Sequence, residues 1–186
     1  MASNRWKKHY YGKMKYNPDE FLRVKPDCKL KVRLIGKPVE IINLFSNKQK
    51  CIVLDNKFTG QHLKAKFPDL VNNVSVRYAC WCIDRDDDSL KILDMPISLA
   101  RVFGNRELLV GKRMAGDKDG CDWKISTNGK KGFDVRYEAV YIEETPLSKA
   151  EKQMITNRRA NKNKHFNLTK IFKSCSFKEA EEKLLY

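Results

Sequence analysis

The chain has 186 residues, of which 41% are apolar and 10% aromatic, enough for a substantial core and too apolar for a wholly disordered protein. Its 38 Lys/Arg against 23 Asp/Glu give a net charge of +15, which points to a polyanionic partner. No apolar run approaches the ~20 residues of a membrane span, and the start MASNRWKKHYYGKMKY lacks the apolar stretch of a secretion signal, so a cytoplasmic protein with no membrane contact is expected.

The charge is unevenly placed. Residues 1–37 carry 11 basic and 3 acidic side chains and residues 148–178 carry 9 and 1, whereas residues 38–147 are nearly balanced at 17 and 16. Two basic arms around a neutral body suit a polyanion binder, because the arms can release counterions without making the core repel itself.

Residues 1–28 interleave Trp6, Tyr10, Tyr11 and Tyr16 with Arg5, Lys7, Lys8, Lys13 and Lys15 without helical or strand periodicity. They read as a flexible basic arm whose rings stack on unpaired bases, worth about 1–3 kcal/mol each, while its lysines meet phosphates. The competing reading packs those rings on the flank of the domain. From Lys29, Leu30, Val32 and Leu34 alternate with Lys31, Arg33 and Ile35, as in a strand. Gly36-Lys37-Pro38 then predicts a bulge or bend before the apolar run 39–45. A polar turn holding Lys48 and Lys50 leads to a further strand at 51–54.

Residues 59–68 read as a short helix or loop limited by Pro68, with His62 in solvent. In SVRYACWCID, Val76, Tyr78, Cys80 and Cys82 share one face and Arg77, Ala79, Trp81 and Ile83 the other. Each face carries an aromatic, so whichever is not core displays a ring, as a base-stacking sheet does. The run Asp84-Arg85-Asp86-Asp87-Asp88 falls at a hairpin tip before a strand at 91–95. With Asp117, Asp119 and Asp122 it offers a magnesium-nuclease reading. Consecutive turn aspartates diverge, however, and the second group has glycine at its fourth position instead of the sixth that a calcium loop needs. The cysteines Cys28, Cys51, Cys80, Cys82, Cys121 and Cys175 include no Cys-x-x-Cys pair, so buried free thiols are expected and no metal or cofactor. Nucleophile-elbow, phosphate-loop and zinc-protease motifs are missing too, and the expectation is a binding protein without catalytic residues.

Pro96 opens ISLARVFGN, a helix with an apolar face of Ile97, Ala100, Val102 and Phe103 and a predicted stop at Gly104-Asn105. A Gly-rich loop with Lys112 and Arg113 follows. Residues 122–142 then form a cationic hairpin: Lys124 and Ser126 oppose Trp123, Ile125 and Thr127 on its first strand, and Arg136 and Glu138 oppose Val135, Tyr137, Ala139 and Tyr141 on its second. Asn128-Gly129 and Gly132 make the turn, and Lys130 and Lys131 sit at its tip. Ser148 with Glu151 is a helix-capping box for a helix reaching about Arg158. After the basic linker NRRANKNKH, Phe166, Leu168, Ile171, Phe172 and Phe177 form an apolar element that has three candidate docking partners: its own barrel, a second copy, or a replication or transcription protein. The expected fold is therefore mainly β: a five-stranded OB-fold barrel with an internal helix at 29–146, between a basic N-terminal arm (1–28) and a helical basic C-terminal extension (147–186).

The segment VRYACWCIDRDDDSLKILDMPISLARVF, a Gly-rich gap, and CDWKISTNGKKGFDVRYEAVYIEETPLSKAE resembles the single-stranded DNA-binding proteins of tailed bacteriophages. In that family an aromatic strand, a KIL-MP strand leading into a helix, and a glycine-turn hairpin recur in this order before a helix opening on Leu-Ser or Leu-Thr. The resemblance spans roughly residues 29–151. It implies sequence-tolerant binding of single-stranded DNA in phage replication, recombination or repair, in the manner of the T-even helix-destabilising proteins. Trp81 and Trp123 would be stackers, and Arg77, Lys124 and Arg136 would face phosphates. Lys31, Arg33, Lys48, Lys50, Tyr78, Lys112, Arg113, Lys130 and Lys131 complete the expected contact set with Trp6, Lys7, Lys8, Tyr10 and Tyr11 of the arm. The chain departs from the T-even pattern in lacking zinc ligands and a long acidic tail, ending instead in KEAEEKLLY. RNA is a second candidate ligand and self-association on DNA a candidate arrangement. The alternative function is an adaptor that joins a polymerase and touches nucleic acid secondarily.

Overall fold

A computed structural model of the chain describes residues 20–27, 29–47, 51–111, 115–116, 120–130, 134–161 and 166–186. Along the chain run β1 (Phe21–Arg23), β2 (Lys29–Ser46), β3 (Cys51–Leu54), α1 (Lys57–Lys66), β4 (Val71–Asp84), β5 (Ser89–Pro96), α2 (Ile97–Val110), β6 (Cys121–Thr127), β7 (Tyr137–Glu144), α3 (Lys149–Ala160), α4 (Leu168–Ile171) and α5 (Phe177–Leu185). The fold is mainly β. Its strands follow the order β1-β5-β4-β2-β6-β7, with β3 also paired to β2, in a curled sheet whose order is open.

That makes seven strands where five were expected. The extra edge comes from the supposed arm: Phe21, Leu22 and Arg23 add in parallel to Ile92, Leu93 and Asp94, and Leu22 and Val24 pack on the core. Contacts divide the chain into two compact units, one combining Asp19–Val39 with Tyr78–Phe166 and the other Glu40–Arg77 with Asn167–Tyr186. The cuts fall inside β2 and β4, because each long strand serves two cores.

The first unit is built around Val32, Leu34, Cys80, Cys82, Leu93, Met95, Leu99, Phe103, Trp123, Ile125 and Ala139. Alternation delivers them: Val32 and Leu34 from β2, Cys80 and Cys82 from β4, Trp123 and Ile125 from β6. Phe103 meets Trp123 edge-on, with centroids 5.2 Å apart and planes at 87°. Gly36, at φ +71°, supplies the left-handed kink that lets β2 run on through Gly36-Lys37-Pro38. α2 does not stop at Gly104-Asn105. The anchoring of Leu99 and Phe103, both wholly buried, outweighs the ~1 kcal/mol that an interior glycine costs, and the helix continues to Gly111, whose φ of +68° ends it. Leu99, one turn before Phe103, takes the core position expected of Ile97, which is exposed. At α3, Ser148 and Glu151 form the capping box read from the sequence.

The second unit gathers Ile42, Leu44, Ile52, Leu54, Leu63 and Val71 with Cys175, Ala180 and Leu184. β3 pairs antiparallel with β2, Leu54 opposite Ile42. The C-terminal apolar segment closes this core. The Cys175 N–H donates to Val53 O at 2.8 Å, and Asp55 N–H donates to Cys175 O at 3.1 Å. Leu168, Ile171 and Phe172 of that segment are buried within the chain.

Candidate nucleic-acid interface

The β2–β6 ladder sets the site. In its antiparallel register Lys31 lies opposite Lys124, Lys29 opposite Ser126, and Leu30 and Val32 opposite Ile125 and Trp123. Register partners share a face, so the apolar set turns to the core and Lys29, Lys31 and Lys124 turn away from it. β7 extends this face, with Val140 opposite Lys124 and Glu138 opposite Ser126. The ladder is prolonged past Thr127 by Asn128: its N–H donates to Arg136 O at 3.2 Å, and its Oδ1 accepts the Arg136 N–H at 3.0 Å. Arg136 therefore joins the same face, two residues before Glu138. Glu138 is occupied by the Ser126 hydroxyl, which donates to it at 3.2 Å.

The turn beyond is fixed by glycine. Gly129 has φ +75°, and a Cβ there would stand 2.1 Å from Asp27 Oδ1, so no other residue fits without displacing Asp27. Lys130, next in line, is exposed.

Beneath the cations lies a charge network. The Arg85 guanidinium donates to Asp122 through Nε at 3.0 Å and Nη2 at 2.9 Å and also pairs with Glu151. Burial alone would lower the Arg85 pKa, but Asp122 and Glu151 more than offset it and hold it above its ordinary value. Glu151 is the mirror case: burial pushes its carboxyl up, and Ser148 and Arg85 bring it below the usual range. Lys31 Nζ stands 3.9 Å from Asp122, a carboxylate already committed to Arg85.

Of the expected contacts, the structure gathers Lys31, Lys124 and Arg136 on one face with Lys130 at its end, and adds Lys29. Lys29 could have been read from its i, i+2 relation to Lys31. Three others go inside. Arg33 is wholly buried, donating from Nη2 to Gly116 O at 3.1 Å, with its pKa lowered by burial against the charge of Asp122. Trp123 is wholly buried between Phe103 and Tyr141, with no face for a base. Trp81 is buried beneath Phe166, whose ring lies parallel to it, centroids 5.2 Å apart and planes at 11°. Its indole N–H donates to Phe166 O at 2.6 Å, and the Arg158 guanidinium sits 4.9 Å from the ring. From Ala79 to Asp84 both faces of β4 are covered, so no ring is displayed there. Tyr78 packs against the core. Arg77 is half-buried and belongs to the second unit. Trp6, Lys7, Lys8, Tyr10, Tyr11, Lys48, Lys50, Lys112, Arg113 and Lys131 lie outside the described residues.

The acidic turn is spent on local pairing. Lys91 Nζ reaches Asp84 at 2.7 Å and Asp87 at 2.5 Å, and Asp84 Oδ1 accepts the Asp86 N–H at 3.2 Å. Among the described residues no three His, Cys, Asp or Glu side chains are placed to hold a metal ion. Cys80 and Cys82 share the core face, as their spacing predicts, and burial pushes the Cys80 thiol up to about 12. None of the described helices is long and apolar enough to cross a membrane. No protein-family model matches the chain, and no curated protein matches it significantly.

Proposed function

We propose that this protein binds unpaired polynucleotides, single-stranded DNA first and RNA as a second candidate, by phosphate neutralisation without chemistry, in the cytoplasm of a phage-infected cell. The observation that carries the reading is the Lys29, Lys31, Lys124 and Arg136 face, on a chain of net charge +15. Like charges placed directly opposite are unfavourable in a sheet; a ladder that keeps Lys31 against Lys124 is suited to an anion lying between them. Strand order supports an OB-type reading. β5-β4-β2-β6-β7, with α2 between β5 and β6, follows the order of such a barrel opened at one seam, and that fold binds oligonucleotides on its sheet. The phage single-strand-binder resemblance points the same way. The polymerase-adaptor alternative drew on the apolar C-terminal segment, whose side chains are used within the chain.

The test is a titration of labelled single-stranded DNA, single-stranded RNA and duplex at two salt concentrations. Four neutralised phosphates give a slope of about −3 in log K against log salt, or ~50-fold between 50 and 200 mM. A flat salt response would exclude the reading.

A further inference from the structure

The outward face of α1 is not absorbed by the interface above. Thr59, Gly60 and Leu63 turn inward, and the fit is close: a Cβ on Gly60 would stand 2.7 Å from Val74 and 2.9 Å from Leu54. The opposite face is thereby held at a fixed angle. It carries Phe58, 74% exposed, with Gln61 and His62 one turn on and Lys57 and Lys64 in the neighbouring row, all exposed. The helix holds no acidic residue. The carboxylate just before it, Asp55, is engaged by the Thr59 hydroxyl at 2.8 Å and by Asn56 Nδ2 at 3.0 Å.

Among the described aromatics only Phe58 and Tyr186 are exposed. Within α1 the exposed positions around Phe58 carry ammonium, amide and imidazole groups and no second large apolar side chain. A bare ring among cations is the combination that stacks an unpaired base and holds its phosphates.

We infer that α1 is a second contact for single-stranded nucleic acid, with Phe58 stacking one base and Lys57 and Lys64 meeting the flanking phosphates. The inference rests on the single-strand-binding reading and locates a stacking ring for it. It is tested on the full chain by titrating single-stranded DNA against wild type, Phe58→Ala, Phe58→Trp and Lys124→Ala, with melting curves as the folding control. Phe58→Ala should weaken binding by about 5- to 150-fold with an unchanged melting temperature, Phe58→Trp should retain it, and photo-crosslinking through a halogenated pyrimidine should label the α1 peptide. Phe58→Ala binding like wild type while Lys124→Ala loses affinity overturns the α1 contact and leaves the proposed function standing. Failure of the wild type to bind overturns both.

Discussion

Lys31 and Lys124 are direct register partners across an antiparallel ladder, two ammonium groups projecting from the same face of β2 and β6. Binding and stability therefore pull in opposite directions at this pair. Replacing Lys124 by Ala should reduce the salt slope of single-strand binding by about 0.7 while leaving the folded state unchanged or up to ~1 kcal/mol more stable, since a like-charge pair is removed. Lys31→Ala should cut the slope equally without the stability gain, because Lys31 also neighbours Asp122. Titrations at several salt concentrations and urea denaturation of each variant read the two effects separately.

The two core tryptophans should be silent toward ligand. Trp81 and Trp123 are both buried, so in a Trp6→Phe variant the remaining fluorescence should be blue-shifted, poorly quenched by acrylamide and unchanged on adding single-stranded DNA. Trp123→Ala should cost about 3–5 kcal/mol of stability by opening a cavity beside Phe103, measured by denaturant unfolding. Quenching of the Trp6→Phe variant by DNA would return one of these rings to the interface.

Arg85 should behave as a structural cation. Removing it leaves Asp122 buried with a weakened partner set, a change that costs 3–5 kcal/mol when no other cation is near. Arg33 and Lys31 still flank Asp122, so Arg85→Ala should fall near the low end, about 3 kcal/mol. The acid arm follows from Glu151, whose carboxyl is held below its usual range. A group depressed on folding contributes stability that is complete above its unfolded pKa and is lost as pH falls through the folded one. Stability should therefore decline below about pH 4.5, and Glu151→Gln should flatten that decline in denaturation series run from pH 7 to 3.

Gly129→Ala should distort the hairpin tip. The left-handed backbone costs alanine about 1–2 kcal/mol, and its methyl group would overlap Asp27. Adding Asp27→Gly should recover part of the loss, since it removes the overlapping carboxylate and relieves a second residue at positive φ. Paired melting curves of the single and double variants measure the coupling.

The local devices were legible in the residues. Alternation marked the hairpin, Ser148 and Glu151 marked the start of α3, and Gly36 marked the kink in β2. Alternation assigns residues to faces but carries no information about what covers each face, and Trp81 and Trp123 were misplaced for that reason. One is roofed by Phe166, 85 residues later, and the other by α2. Arg33 follows the same logic: a lysine-rich strand suggests a solvent-facing cation, while its guanidinium is bound by Gly116, 83 residues later. Gly104-Asn105 does not end α2 because glycine is a weak helix breaker when neighbours such as Phe103 are anchored. The exposure of Phe58 had a faint signal, since Gly60 and Leu63 place the inward side of α1 away from it.

The hydrogen bonds that tie Cys175 to Val53 and Asp55 join segments about 120 residues apart. β3 emerges early from a translating ribosome and waits for the closing segment, a delay of roughly 6–24 s at ordinary elongation rates of about 5–20 residues per second. Throughout that interval Leu54 and Leu63 lack part of their cover, so nascent chains stalled before residue 167 should be the species that chaperones capture.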